Sequence, residues 1–358
     1  LADTTWRNAI NTGLTTGRGT RGTVYLFAGG NGGCPSVSPP GTVVAVPATC
    51  DNSNLDEQVN HRGVMAVAAV DDKGVKSSYS ERGANLWVSA PGGEFCSTHA
   101  ITTTDRTGVN GGNTTGNAPE LADKNYTQCM NGTSSATPIA AGVVALMLQA
   151  NPNLGWRDVR WILAETAKIN DPFNPEWVSN GGTPQFAVNH NYGFGVVDAA
   201  AAVARAKDPL WINLTAELTF SSAVKTVNAA IPDANATGVS DTIAVTTSGI
   251  SKIEYVEITF TASNKTALDN VAGDLEISLV NLSTAGGAVS LLTEAHTCVN
   301  GSTPGSVCAT PYTAAVFGSA RHLGEPANGN WRITVKDLAS GDMGTFQSWS
   351  LKFYGHTP

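Results

Sequence analysis

The stretch NGTSSATPIAAGVVALMLQANP, Asn131 to Pro152, decides how the rest of the chain is read. Gly132 permits a tight turn, Ser134 opens a helix, and Pro138 falls in the early turns, where proline costs least. Backbone N–H groups at a helix N-terminus point toward any anion that forms in front of them. The segment therefore reads either as a serine capping a helix or as a nucleophile beside an oxyanion site. A neutral hydroxyl attacks nothing without a base, so the second reading requires a histidine and a carboxylate elsewhere. The apolar run 138–150 is too short for a bilayer span and contains Gly142.

Outward from this helix, the 358 residues suggest two domains of roughly 150–200 residues each. Over residues 1–207, strands are expected at 23–28, 63–70 and 85–89, and helices at 2–12, 134–150, 155–168 and 198–206. Buried strands alternating with amphipathic helices imply a mostly parallel sheet covered on both faces. Residues 208–358 change character. Period-2 runs at 253–261, 274–280, 331–335 and 348–354, separated by Gly/Asn/Ser/Asp turns, imply an antiparallel β-sandwich.

The formal net charge of −8 argues against nucleic acid or an anionic membrane as partner and leaves room for cations. Leu1-Ala-Asp-Thr-Thr-Trp6 reads as the middle of a folded helix rather than a signal peptide, which suggests a fragment of something longer. The six cysteines show no zinc spacing, and three local pairs, 34–50, 96–129 and 298–308, are expected in an oxidising, extracellular setting.

Two further strings carry chemistry. Phe27-Ala-Gly-Gly-Asn-Gly-Gly33 follows a strand, and its asparagine is either part of a glycine-rich turn or an amide aimed at a developing oxyanion. Cys50-Asp-Asn-Ser-Asn-Leu-Asp56, with Ser78-Tyr-Ser-Glu81 after it, is a solvated acidic loop, a hard-cation site or a pocket for a positive side chain.

Taken in order, these strings resemble the kexin/furin-like branch of the subtilisin-type serine proteases, the subtilases, and a bacterial secreted type is favoured. Gly132–Pro138 is similar to the nucleophile motif, Asn151-Pro-Asn-Leu-Gly-Trp-Arg-Asp158 to a following helix start, and Tyr192-Gly-Phe-Gly-Val-Val-Asp198 to the end of the catalytic domain. Gly273-Asp-Leu-Glu-Ile-Ser-Leu-Val280, Gly329-Asn-Trp331 and Gly344-Thr-Phe-Gln-Ser-Trp-Ser-Leu351 resemble the jelly-roll P domain.

The resemblance implies an α/β subtilisin-like catalytic domain, incomplete at its N-terminus, over 1–207 and an all-β P domain over 208–358. It implies Ser134 as nucleophile, Asn31 as oxyanion donor, and Ala28, Gly29 and Asp56 as substrate-binding, with Asp56 reading a P1 arginine or lysine. Asp51 and Glu81 become calcium ligands, and a propeptide or chaperone becomes a partner. Ser53 and Gly83 stand where relatives carry a cysteine pair; the insertion after Asn31 and the segment 98–124 depart from the pattern.

The base is missing from the motifs. Of His61, His99, His190, His296, His322 and His356, none precedes Asn31 and none lies in His-Gly-Thr. His61 and His99 read as solvated. The expectation is that Asp and His come from a segment upstream of residue 1, the alternative being an inactive pseudoprotease or fragment whose β-sandwich binds protein or glycan.

Overall fold

A computed structural model describes residues 4–33, 42–43, 50–96, 99–266, 271–296 and 311–358. Helix α1, Thr4–Thr20, continues past the stop expected after residue 12, with Gly17, Arg18 and Gly19 departing from helical geometry. Gly13 does not end it because glycine serves packing there. A Cβ at that position would lie 1.8 Å from the Tyr25 hydroxyl oxygen, so only glycine lets helix and strand approach so closely.

Strands β1 (Tyr25–Ala28), β2 (Val64–Val70) and β3 (Leu86–Pro91) form a parallel sheet in that order. All seven residues of β2 are buried, which accounts for its unbroken apolar sequence: a parallel strand covered on both faces needs no alternation. Helix α2, Thr133–Ala150, packs on the sheet through Ala136, Ala140, Val143, Val144 and Met147. Its 18 residues and mean hydropathy of 1.3 suffice for a membrane span by length and composition alone, more than the run 138–150 suggested. The buried stripe is that of a core helix. Helices α3 (Trp156–Thr166) and α4 (Ala199–Ala206) join the same core, α4 capped by Asp198 Oδ1 accepting from Ala201 N at 2.9 Å. A hairpin of β4 (Ile101–Thr104) and β5 (Tyr126–Met130) adjoins the Cys96–Cys129 disulfide, as expected; β6 (Val178–Ser179) and β7 (Ala187–Val188) make a short pair. Cys50 is also disulfide-bonded, while Cys34, Cys298 and Cys308 lie outside the described residues.

The second half is an antiparallel sandwich. Its strands are β8 (Leu218–Ser221), β9 (Lys225–Ile231), β10 (Asn235–Val245), β11 (Lys252–Asn264), β12 (Leu275–Asn281), β13 (Ser290–Thr293), β14 (Ala315–Ser319), β15 (Gly329–Asp337) and β16 (Gly344–His356). One sheet runs β10-β15-β12-β13 and the other β14-β11-β16-β8, with β9 also on β16. Alternate residues face inward, so Trp331, Ile333 and Val335 of β15 meet Phe260, Phe346 and Phe353 of the opposite sheet in one apolar core.

The halves meet along a polar seam. Arg157 binds Glu254, which also receives His356; Arg7 pairs with Glu257 at 3.0 Å, Arg62 with Glu217 at 2.8 Å and Arg82 with Glu294 at 2.9 Å. The Arg160 guanidinium stacks 3.9 Å from the centre of the Trp87 ring, with Tyr255 of the sandwich nearby.

Candidate active site

Strand β1 ends at Ala28, and Gly29 N extends its ladder to Val67 O at 2.9 Å. The chain then turns sharply at Gly30, whose φ of +114° and contact with Glu81 both demand glycine: a Cβ would lie 2.1 Å from the Glu81 carboxylate carbon. This turn presents Asn31, exposed, toward the start of α2.

The Asn31 amide has one possible orientation. Thr133 N and Thr133 Oγ1 approach it at 2.9 and 3.0 Å, and a backbone N–H can only donate, so the atom facing it is Oδ1. Nδ2 is left as the outward donor. Gly132, at φ +105°, provides the measure of what lies between Asn31 and the helix. A Cβ placed on it would stand 3.5 Å from Asn31 Nδ2, 3.6 Å from Asn31 Oδ1 and 3.6 Å from Ser134 N. The Asn31 amide and the Ser134 N–H thus both lie beside Gly132, at the start of the helix that carries the exposed Ser134, a placement that suits an oxyanion site.

The turn is held from beneath. Gly132 N donates to the Tyr79 hydroxyl at 2.8 Å, and that hydroxyl lies 2.8 and 2.7 Å from the carbonyl oxygens of Gly92 and Gly93. Ser135 Oγ reaches Gly92 O at 3.0 Å and Gly132 O at 2.8 Å. Tyr79 was not singled out from sequence, although it sits inside the Tyr-Ser-Glu string.

Among the described residues, no histidine or carboxylate stands within hydrogen-bonding distance of Ser134 Oγ. His61 corrects the expectation of a solvated side chain. It is 2% exposed, accepts from Gly63 N at 3.0 Å through Nδ1, and packs edge-on to Trp6. Burial, reinforced by Arg7 and Arg62, pushes it down to about 3, so it is a neutral acceptor that fixes the entry to β2. His99 is exposed beside Asp72, as expected. His190 is buried between Glu176 and Leu291 N, the latter at 2.9 Å. A file of Ser290, His322 and Glu325 does exist, with Oγ to Nε2 at 3.0 Å and Nδ1 to Oε2 at 3.2 Å, but all three are fully buried in the sandwich.

The acidic loop lies on the other side of the Asn31 turn. Asn52 bridges to Arg82, Ser53 N donates to Arg82 O at 3.0 Å, and Asp51 N donates to Gly32 O at 2.9 Å. These bonds bring the segment carrying Asp51 alongside the one carrying Glu81. A Cβ on Gly32 would lie 3.2 Å from Glu81 Oε1 and 3.6 Å from Asp51 Oδ2, so both carboxylates face one space. Burial, then the Asp51 and Asp56 charges, push Glu81 up to about 7 despite a hydrogen bond from Gly32 N at 2.8 Å. A buried carboxylate beside a second one suits a hard divalent cation, which would relieve their repulsion. Asp56 caps the turn Ser53–Leu55 from its C-terminal side and is exposed; its Oδ1 accepts from Gln58 N at 2.8 Å.

The sandwich grips this loop. Asn54 Nδ2 donates to Leu292 O and Gly318 O, its Oδ1 accepts from Gly318 N, and Asn60 Nδ2 ties Asn54 O to Val316 O. Ser53 and Gly83 do face one another, since a Cβ on Gly83 would lie 2.4 Å from Ser53 Oγ; Ser53 binds Asn85 Oδ1 instead, at 2.7 Å. Cys96, Glu120 and Cys129 also gather, but their sulfurs are joined to each other.

Comparison with known proteins gives the family. The subtilase family profile matches residues 2–195, and the proprotein convertase P-domain profile matches 260–353. Protease KEX1 of Kluyveromyces lactis is 28% identical over 99% of this chain and 41% of its own length. Human proprotein convertase subtilisin/kexin type 7 is 29% identical over 97% and 39% respectively. The chain therefore spans about two fifths of the length of these curated relatives. A calcium-dependent protease of Trichormus variabilis is 39% identical over 57% of this chain and 27% of its own length. The serine protease of Aeromonas sobria superposes with a TM-score of 0.80 at 27% identity, covering 99% of this chain and 69% of that one; it has also been solved in complex with a chaperone. The chain belongs to the subtilase family, in its kexin- and furin-like branch, with a subtilisin-like α/β part followed by a P domain.

Proposed function

We propose that this chain is the nucleophile-bearing part of a secreted, calcium-dependent serine endopeptidase that cleaves after lysine or arginine. Residues 1–207 form the C-terminal portion of the catalytic domain and 208–358 the P domain. The observation that carries the reading is the placement of the Asn31 amide, held through its Oδ1 by Thr133 N, beside Gly132 and the N-terminus of the helix that exposes Ser134.

In this reading the peptide substrate lies along Ala28 and Gly29, with its basic P1 side chain against Asp56. Only the hydroxyl, the two N–H donors and the acidic pocket come from this chain; the catalytic Asp and His come from a segment upstream of residue 1. That histidine takes the Ser134 proton as Oγ attacks the carbonyl carbon. Asn31 Nδ2 and Ser134 N then stabilise the tetrahedral oxyanion; its collapse breaks the C–N bond, the histidine returns its proton to the leaving amine, and the acyl-enzyme left on Ser134 is hydrolysed by water. Asp51 and Glu81 would hold a calcium ion, whose charge would offset their mutual repulsion. A propeptide or chaperone is a further partner, a reading supported by the chaperone complex of the Aeromonas sobria relative.

Substrate choice tests this directly. With the upstream segment present, Asp56→Asn is expected to lower kcat/KM for peptides with P1 Arg roughly a hundredfold, removing one partner of a desolvated ion pair, while a neutral P1 loses little. Equal loss for both peptides would remove Asp56 from the P1 pocket.

A further inference from the structure

The inward alternation of β15 ends on a residue that does not belong in a core. Trp331, Ile333, Val335 and Asp337 are all buried, and Asp337 is 0% exposed. It pairs with Leu275 of β12 on one side and Asn235 of β10 on the other, so it stands at the end of a central strand. Its Oδ1 accepts from Ala339 N at 3.3 Å, and its Oδ2 is buried with no hydrogen-bond partner. An ionised oxygen in that position is costly unless a cation or proton reaches it.

What surrounds Asp337 is acidic. Asp274, itself buried, immediately precedes β12, and its carbonyl oxygen accepts from Leu338 N at 2.9 Å. Asp233 immediately precedes the β9–β10 corner and accepts from Gly341 N through both oxygens, at 3.1 and 3.4 Å. Asp342 follows Gly341 on the same turn. The charges that raise Asp274 are those of Asp342 and Asp233; those that raise Asp337 are Asp274, Asp233 and Asp342, after burial itself.

We propose that Asp337, Asp274, Asp233 and Asp342 form a calcium site at this end of the sandwich, separate from the Asp51–Glu81 pair. Hard carboxylate oxygens on two strand ends and two turns suit calcium, whose coordination is large and flexible, better than the tight octahedron of magnesium. No three of these carboxylates are gathered within 4.8 Å of one another as they stand. The ion therefore has to draw Asp233 and Asp342, on exposed turns, toward Asp337, which the sheet holds fixed. Its effect would be to clamp the ends of β10, β12 and β15 to the turn entering β16.

The test uses the whole chain, calcium and magnesium chlorides, bound metal counted after equilibrium dialysis, and thermal midpoints. An Asp51→Asn/Glu81→Gln variant isolates the sandwich site and is expected to keep one bound calcium per chain and a rise in midpoint of several degrees that magnesium does not reproduce. Adding Asp337→Asn is expected to remove both. Asp342→Asn, on the turn, covers the case in which Asp337→Asn does not fold, and is expected to weaken calcium at least tenfold. The proposal is overturned if the Asp51/Glu81 variant binds no calcium, or if Asp342→Asn leaves its affinity unchanged.

Discussion

Two serines in this chain, in separate halves of the molecule, each have only part of the surroundings a hydrolytic serine needs. Ser134 is exposed at a helix N-terminus, with the Asn31 amide beside the same turn and, among the described residues, no base within reach. Ser290 has a histidine and a carboxylate in file behind it but is sealed in the sandwich, where its hydroxyl also meets Ser319 Oγ at 2.6 Å. A hydrogen-bonded Ser–His–Glu order is therefore not a marker of catalysis. In a core it satisfies polar groups that would otherwise be orphaned, and what distinguishes a reactive serine is access together with donors placed where charge will develop.

The comparison breaks first at Asn31. In the protease with its upstream segment, Asn31→Ala is expected to lower kcat by about 10²–10³, or about 3–4 kcal/mol of transition-state stabilisation, with KM nearly unchanged. A change confined to KM would make Asn31 a substrate contact rather than an oxyanion donor.

Ser290→Ala probes the other side. It leaves His322 Nε2 and Ser319 Oγ short of a partner, so a loss of about 1–3 kcal/mol in denaturant unfolding is expected, with no change in reactivity toward a fluorophosphonate. Loss of that labelling with stability intact would reverse the two roles.

A smaller effect lies at Glu81, beside the Asn31 turn. Glu81 is raised from 4.5 to about 7, so the metal-free folded chain holds a proton there that the unfolded chain has released. Its contribution to stability is full below the unfolded value and is lost as pH rises through about 7. Calcium displaces that proton, so its affinity is expected to rise up to about tenfold per pH unit below 7 and then level, seen by titration calorimetry. A flat profile, or the same profile in Glu81→Gln, would remove Glu81 as a ligand.

The elements themselves were legible. The continuous apolar run of β2 and the period-2 runs of the sandwich reflect burial on two faces and on one, and residue order records that directly. The site was legible as strings: Asn31, Asp51, Asp56, Glu81 and Ser134 do come to neighbouring loops. Three things could not be read. Gly13 looked like a helix stop because its partner, Tyr25, lies on another element. His61 looked solvated because its burial comes from Trp6 and the seam, remote in sequence. Tyr79 matters only through the Gly132 N–H it receives, a contact across 53 positions.

Ser134 is proposed to act as a nucleophile only when a base reaches it from outside this chain. Fluorophosphonate labelling with mapping of the modified peptide tests it, on this chain alone and on the protein carrying the upstream Asp and His. Slow or undetectable labelling of the chain alone is expected, against rapid labelling at Ser134 in the longer protein that Ser134→Ala abolishes. Equal labelling in both, or labelling in neither, would contradict the account.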